Sequence, residues 1–227
     1  MFESILKAAE TIGSTFAIIL FSIYFCKTYI DKLEKKMPIG ESVKKQNVED
    51  AHIFETMEYY KELLGADRIM LFEFHNGQHY SNYRSALKLS VSYECYRAGL
   101  TSQRNICSNL PISIMPKFIH AITTQDQVNY KDIEDMREEM PNAYAFKKDL
   151  GIKAFYDVPI KDKDKNIIGF VAVQWAHDLP ENAENYRATV DAHVRRLAWS
   201  LEDSIKRITA NGEVNNNNIF TKFKKKK

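Results

Sequence analysis

Residues 151–175 read GIKAFYDVPIKDKDKNIIGFVAVQW, and this stretch decides the fold. Two strand-like runs, IKAFYDVPI and IIGFVAVQW, flank the polar segment KDKDKN. That segment has the length and composition of a longer hairpin loop. We therefore expect an antiparallel β-hairpin between Ile152 and Trp175.

Two further strands are expected upstream of this hairpin. Residues 68–74, RIMLFEF, are apolar at nearly every position, as in a short strand covered on both faces, and His75-Asn76-Gly77 supplies the turn that stops it. Residues 86–96 alternate between apolar and polar, which predicts a half-buried strand. One face of that strand should carry Leu87, Leu89, Val91, Tyr93 and Cys95.

Helices are expected around these strands. Asn47 can cap a first helix with an apolar stripe, and Gly65 is placed to end it. Residues 110–124 suggest a short helix, and residues 130–150 a polar helical stretch broken by Pro141. Residues 184–208 carry apolar residues at helical spacing, which predicts a long helix packed on the sheet. The same apolar stripe could also form a helical dimer interface.

Composition bounds the class of protein. The chain has 227 residues, with 32 Lys and Arg against 30 Asp and Glu, and five Lys lie in residues 213–227. The basic character is therefore confined to the tail, and there is no general nucleic-acid signature. Three Cys residues are too few to staple a chain of this size and fit a reducing compartment, although an oxidised Cys95–Cys107 pair stays open.

The N-terminal segment predicts a membrane anchor. Residues 11–26 carry no charge, and snorkelling of Lys7 and Lys27 lengthens the usable span to about residues 5–30. Lysines are far more frequent after the span than before it, which places the N-terminus outside and the rest in the cytoplasm. The alternatives are a signal peptide, which lacks a cleavage site, and an apolar core helix.

The chain divides into four parts on this interpretation. Residues 1–30 are a transmembrane anchor, 31–47 a charged juxtamembrane linker, 48–210 the globular domain and 211–227 a disordered Asn/Lys-rich tail. The lysines of the tail would favour anionic lipid headgroups when the membrane is near. Weak nucleic-acid contact and a merely solubilising role are the alternatives.

The order of these elements predicts an α+β domain with an antiparallel sheet covered by helices. At this point residues 48–208 resemble the GAF family of sensory domains, on RIMLFEFHNG, KLSVSYE and the 151–175 block. FHNG followed by KLSVSYE also resembles small membrane-anchored GAF-like proteins of bacteria and phages. The resemblance implies a ligand pocket between one sheet face and the crossing helices and loops, with homodimerisation through the first and last helices of the domain.

The chain departs from the liganded subtypes of that family. The Asn-Lys-Phe-Asp-Glu signature of cyclic-nucleotide GAF domains is absent, and no Cys lies in a bilin-attachment context. One enzyme of the family, free methionine sulfoxide reductase, uses nearby cysteines, and Cys95 and Cys107 are the pair available here, without the Gly-rich context. A buried structural role for Cys95 is the simpler interpretation.

Ten residues are candidates for lining a pocket. Glu73 would need a partner such as Arg97 or Lys153 if buried. His75 could hydrogen-bond at its turn, and its spacing from His79 does not predict a metal site because Asn76-Gly77 breaks a helix. For every candidate, ordinary packing or solvent exposure is the competing interpretation. The candidates are Glu73, His75, Asn76, Ser92, Glu94, Tyr96, Tyr156, Asp157, Gln174 and Trp175.

The sequence therefore predicts a membrane-anchored GAF-like sensory or regulatory module that binds an unidentified small molecule or protein and is not an enzyme. A membrane-tethered scaffold with an occluded pocket is the alternative. Neither reading identifies a cofactor or a metal.

Overall fold

The computed structural model describes residues 22–26, 39–79, 83, 85–177, 179 and 184–221. One compact unit comprises Gln46–Thr209, and the described residues outside it belong to a second unit. Four helices are described here as α1 to α4 and six strands as β1 to β6. The helices are α1 (Ile39–Leu63), α2 (Pro116–Thr124), α3 (Pro141–Asp149) and α4 (Glu184–Thr221), with 3-10 turns at Ile112–Ile114 and Ile133–Met136.

One antiparallel sheet organises the compact unit. Its strands are β1 (Arg68–His79), β2 (Ser85–Tyr96), β3 (Leu110–Pro111), β4 (Val128–Tyr130), β5 (Ala154–Lys161) and β6 (Ile167–Trp175). They are ordered β3-β2-β1-β6-β5-β4. The hairpin predicted from residues 151–175 is confirmed as β5 and β6, and the Asp162 carboxylate closes its turn by accepting from the amides of Asp164 and Asn166.

The first face of the sheet is covered by α1 and α4. The predicted stripe on the last helix is buried against the strands, as are Ile53 and Met57 from α1. Gly65 ends α1 with φ +55°, a conformation that other residues rarely adopt. The stripe consists of Val190, Val194, Leu197, Leu201 and Ile205.

The second face is covered by α2, α3 and the connecting segments. Phe118 and Ile122 from α2 and Ala143 from α3 pack on Phe72 and Phe170 of the central strands. Phe72 and Phe170 are stacked with ring centroids 4.6 Å apart. This face therefore has an aromatic centre, and the segments over it come from residues between β2 and β5.

The predicted single apolar face of β2 is wrong. Leu89 and Val91 pack on the second face, whereas Cys95 is buried on the first and Tyr93 packs beside it. The reason is a β-bulge, since Leu71 pairs with Tyr93 but Phe72 pairs with Val91. The extra residue, Ser92, reverses the direction of every side chain that follows it.

The predicted turn at His75-Asn76-Gly77 is also wrong, because β1 continues to His79. Asn76 pairs with Leu87, and His79 pairs with Ser85. A Cβ on Gly77 would lie 2.0 Å from the carbonyl oxygen of Ala86. Glycine is therefore required here by close strand contact rather than by a turn.

Both outer helices are longer than the sequence predicts. Residues 39–47 of the expected linker are helical, so Asn47 lies inside α1 instead of capping it. Residues 211–221 of the expected disordered tail are likewise helical in α4. In residues 39–47, Glu41, Lys44, Lys45 and Gln46 are good helix formers even without an apolar stripe, which a search for apolar periodicity misses.

The predicted anchor lies mainly outside the described residues. Of residues 5–30, only 22–26 are described, and they are helical. Within the part of the chain that the structure describes, no helix is long and apolar enough to cross a membrane.

Candidate functional site

A row of polar side chains crosses the second face of the sheet. Gln174 on β6 pairs directly with Arg68 on β1. Asp157 on β5 pairs with Ala172, which lies two residues before Gln174 on β6 and therefore on the same face of the sheet. Burying such groups is unfavourable unless they find partners, so the partners define the site. We call these four buried residues the polar row: Asp157, Gln174, Arg68 and Glu94.

Glu94 joins the sheet to the 97–109 segment that follows β2. Its carboxylate lies 3.1 Å from Arg68 Nε in a buried ion pair. It also accepts from the backbone N–H of Gln103 at 2.8 Å and from the hydroxyl of Ser102. Arg68 in turn donates from Nη2 to the carbonyl oxygen of Thr101 at 2.6 Å. Because both charges are used in binding backbone, the 97–109 segment is held over this end of the sheet.

Lys147 supplies the second buried ion pair. Its Nζ lies 2.8 Å from Asp157 Oδ2, and both side chains are buried. Complete burial raises the pKa of Asp157, while the neighbouring Lys147 ammonium opposes that shift. The pair tethers α3 to β5, because Lys147 lies on the helix and Asp157 on the strand.

The Lys147 ammonium is also enclosed by aromatic rings. Nζ lies 3.7 Å from the ring centroid of Phe155 and 4.9 Å from that of Phe118. Cations are attracted to the faces of aromatic rings at these distances, and more strongly when water is excluded. We call the set of Phe118, Phe155 and Asp157 the ammonium cage.

Three buried oxygens close to these groups have no hydrogen-bond partner in the described structure. They are Asp157 Oδ1, Gln174 Oε1 and Gln103 Oε1. One of these residues, Gln174, lines a cavity of about 20 Å³ together with Lys147 and Leu150. Gln103 is tied to its rim, since its Nε2 donates to the carbonyl oxygen of Leu150 at 2.8 Å. That volume is enough for about one water molecule.

A larger cavity of about 110 Å³ lies where α2 and α3 begin. Each helix starts with a Met-Pro pair, at Met115-Pro116 and at Met140-Pro141. Met115 and Phe118 line both this cavity and the smaller one. These two side chains therefore separate a surface recess from the ammonium cage.

Three of the ten predicted site residues meet on this face, namely Glu94, Asp157 and Gln174. Tyr156 and Trp175 alternate with them along β5 and β6 and are buried on the first face instead. The Tyr156 hydroxyl contacts Asp191 on α4 and Gln127, and Trp175 Nε1 donates to the carbonyl oxygen of Leu64. Their position contradicts the predicted aromatic wall, because adjacent strand residues point to opposite faces.

The other five predicted residues do not join the polar row. Ser92 is the bulge residue, and its hydroxyl donates to the carbonyl oxygen of Leu71 at 3.2 Å. Tyr96 lies at the end of β2, with Arg68 above its ring at 5.8 Å. The remaining three, Glu73, His75 and Asn76, lie five to eight residues along β1 from Arg68, about 16 to 26 Å at the rise of a strand.

His75 makes a contact across the strands rather than the contact at a turn that the sequence suggested. Its Nε2 lies 2.9 Å from the Ser90 hydroxyl. Arg97, offered as a partner for Glu73, pairs instead with Asp67 at 3.0 Å. In the described part of the chain, no three His, Cys, Asp or Glu side chains are grouped to hold a metal ion.

Cys95 and Cys107 lie on opposite faces of the sheet. Cys95 belongs to the core under α1 and α4, and Cys107 to the core of the second face. Both are free thiols. Burial raises the pKa of Cys95 to about 12 and that of Cys107 to about 11. The geometry therefore argues against a disulfide and against a cooperating catalytic pair.

Sequence reasoning missed Lys147, Arg68 and Gln103. Lys147 is one of two adjacent lysines, and the pattern does not tell it from the exposed Lys148. Arg68 is the first residue of a strand, where an exposed position is the ordinary expectation. A usable signal existed only for Asp157, whose position inside an apolar strand requires a buried partner.

This arrangement defines a class of α+β domain. Two long helices cover one face of a single antiparallel sheet, while short helices and a loop enclose polar groups on the other. Residues 53–191 match the family model described as GAF domain, which covers more than half of the chain. The chain therefore belongs to the GAF domain family.

One solved structure shows the same fold at low sequence identity, and a second is reported with it as similar. The blue-light absorbing form of the PixJ GAF domain from Thermosynechococcus elongatus is 16% identical and has a TM-score of 0.53, over 75% of this chain and 95% of that one. The photoproduct state of GAF3 from Slr1393 of Synechocystis sp. PCC6803 is 12% identical with a TM-score of 0.49, over 73% and 97% respectively. No curated protein matches the chain.

Proposed function

We propose that this GAF domain is a non-enzymatic sensing or regulatory module whose small-molecule site lies over the polar row. Ligand binding there would act on α3 and on the 97–109 segment, which are held to the sheet by the Lys147–Asp157 and Glu94–Arg68 pairs. A change at these contacts would bias the packing of α1 and α4 and so reach a partner.

The observation that carries this proposal is the set of three unpartnered oxygens on Gln103, Asp157 and Gln174. Buried polar atoms are almost always hydrogen-bonded, so each exception requires a reason. Gln174 lines the small cavity, Gln103 is bonded to Leu150 at its rim, and all three oxygens are acceptors, which suits a ligand that donates hydrogen bonds. None of the three is needed to complete the sheet.

A scaffold with an occluded pocket is the second candidate, and the small cavity favours it. About 20 Å³ is far less than a metabolite occupies, so a ligand must displace side chains to enter. The same volume weighs against an open-chain tetrapyrrole, although the PixJ relative absorbs light. Cyclic nucleotides are disfavoured by the missing signature noted above.

Thermal unfolding of the full chain against a metabolite library separates these candidates. A functional pocket predicts at least one stabilising compound, because binding to the folded state alone raises the unfolding temperature. Gln174→Met should remove the response, and Glu73→Gln, on the distant half of β1, should keep it. Consistently null shifts with a specific protein partner would favour the scaffold.

The absence of catalysis is part of this proposal. It is supported by buried, high-pKa thiols on opposite faces of the sheet. The check is an assay with free methionine sulfoxide and a thiol reductant. Turnover that depends on Cys95 and Cys107 would overturn a non-enzymatic role.

We also propose that residues 5–30 anchor the domain to the inner or cytoplasmic membrane. The support is the uncharged stretch 11–26 and the lysines that follow it. A cysteine introduced at residue 2, in a background lacking Cys26, should react with an impermeant reagent added outside intact cells. In the proposed topology the domain lies in the cytoplasm and the Lys-rich tail lies near anionic lipid. A cysteine at residue 2 that reacts only after lysis would contradict this topology.

Homodimerisation through α1 and α4 is supported by an exposed tryptophan. Trp199 is 71% exposed and lies on the side of α4 away from the buried stripe. Tryptophan is enriched at protein interfaces. Trp199→Glu should shift the chain from dimer to monomer in light scattering, whereas Lys206→Glu should not. A wild-type monomer at high concentration would end this part of the proposal.

A further inference from the structure

The ammonium cage is occupied by the chain's own lysine. One carboxylate and two ring faces surround Nζ of Lys147, at 2.8 Å from Asp157 Oδ2 and 3.7 and 4.9 Å from the rings of Phe155 and Phe118. Carboxylate and aromatic faces are the groups by which proteins recognise organic ammonium ions. The chemistry of the cage is therefore specific for a cation, whichever molecule carries it.

The cage also has unused capacity for hydrogen bonds. Asp157 Oδ1 and Gln174 Oε1 are buried acceptors without a partner in the described structure. An ammonium group has up to three N–H donors. A primary ammonium bound at Asp157 could donate to Oδ1 as well, and so satisfy an atom that Lys147, bonded at Oδ2, leaves unpaired.

A route for an apolar tail adjoins the cage. The cavity of about 110 Å³ at the starts of α2 and α3 shares Met115 and Phe118 with the small cavity beside Lys147. A cavity of about 150 Å³ admits benzene, so this recess has room for a short alkyl group. Met115 is a flexible side chain that can move aside.

We infer that the ligand of this site is a small alkylammonium compound, which places its charged group in the ammonium cage and its tail in the recess while Lys147 withdraws. The inference rests on the proposed function and adds the chemical class of the ligand. Lys147 is then an internal competitor, because the free cage exists only in the fraction of molecules whose lysine has left. Its long, flexible stem allows the charged group to reach water from α3.

The test uses n-butylammonium, whose four carbons and nitrogen reproduce the lysine side chain beyond Cα. In full-length Lys147→Ala, this cation should raise the unfolding temperature saturably, and its apparent affinity should be at least about tenfold higher than for wild type. Neutral n-butanol should not reproduce the shift. Lys148→Ala, which removes the exposed neighbouring lysine, should respond like wild type.

A second variant covers the case in which Lys147→Ala does not fold. Lys147→Met keeps most of the apolar volume, and methylammonium is then the probe. Adding Asp157→Asn to either variant should abolish the effect. Equal affinity in wild type and the Lys147 variants, or no response to ammonium in either variant, overturns the inference. If library compounds without an ammonium group still stabilise the wild type, the proposed function survives that failure.

Discussion

Tyr156 and Asp157 are adjacent on β5, yet they connect the two sides of the domain. Asp157 pairs with Lys147 of α3 on the second face. The hydroxyl of Tyr156 contacts Asp191 of α4 and Gln127 on the first face. A shift of β5 at the ammonium cage would therefore be felt at α4 within one residue.

Tyr156→Phe should weaken that connection without disturbing the core. The variant removes one hydroxyl and keeps the buried ring, so we expect a loss of about 1 to 2 kcal/mol in the free energy of unfolding. Amide exchange should accelerate around Asp191 more than around Ile205. Tyr59→Phe, at an exposed position on α1, is the matched control and should change neither quantity. Unchanged exchange near Asp191 would refute the connection.

The Lys147–Asp157 pair should show strong coupling in a double-mutant cycle. Lys147→Met alone leaves a buried carboxylate uncompensated, which destabilises proteins by about 3 to 5 kcal/mol. Lys147→Met combined with Asp157→Leu should recover most of that loss. Lys148→Met breaks an exposed pair with Glu134 and should leave stability nearly unchanged. Denaturant unfolding of the wild type, the two single variants at 147 and 157, the double variant and Lys148→Met measures these changes, and additive effects at 147 and 157 would contradict a buried pair.

Glu94→Gln should loosen the 97–109 segment. The substitution removes the charge facing Arg68 and weakens the acceptors for Ser102 and Gln103, for an expected loss of about 3 kcal/mol. Trypsin should then cut sooner after Arg104, and the Gln103 amide should exchange faster. Glu138→Gln changes an exposed carboxylate outside this segment and serves as the control. Unaltered cleavage would show that the segment is held by other contacts.

The buried thiols predict a loss of stability at alkaline pH. Burial raises the pKa of Cys107 from 9.0 to about 11. Between these values the unfolded chain releases the thiol proton first, so the folded state binds more protons and stability falls as pH rises. The decline should reach about 1 to 3 kcal/mol by pH 11 and should be shallower in Cys107→Ala. The measurement is denaturant unfolding at several pH values, and equal slopes in the two proteins would be the contrary result.

Native labelling provides an independent check on the same thiols. In a Cys26→Ala background at pH 8, Cys95 and Cys107 should react with a thiol reagent only after unfolding, because neither is exposed and both are protonated. Glu138→Cys, at an exposed position, should react at once. Rapid labelling of the native background would show that the cores open readily.

The spacing of apolar residues predicted the elements whose buried face can be recognised within a single segment of sequence. The β5–β6 hairpin follows from two apolar runs and a polar loop, and the stripe on α4 follows from helical spacing. The same approach failed at β2. The bulge at Ser92 depends on pairing with β1, and the alternation of apolar and polar residues in β2 does not reveal it. The approach failed at Gly77 for the same reason, because the residue is required by the approach of Ala86 from the neighbouring strand.

The sequence by itself determined the family and the sheet-forming runs, and it offered Asp157 as one of ten candidate site residues. Only the tertiary structure decided that Lys147 rather than Lys148 compensates it, and that Arg68, Gln103 and Gln174 join the same buried layer. Alternation and helical spacing are properties of one segment, which the chain records directly. A buried polar layer instead depends on which residues of separate strands and helices become neighbours. Once the layer is buried, each polar group without a partner lowers the stability of the fold.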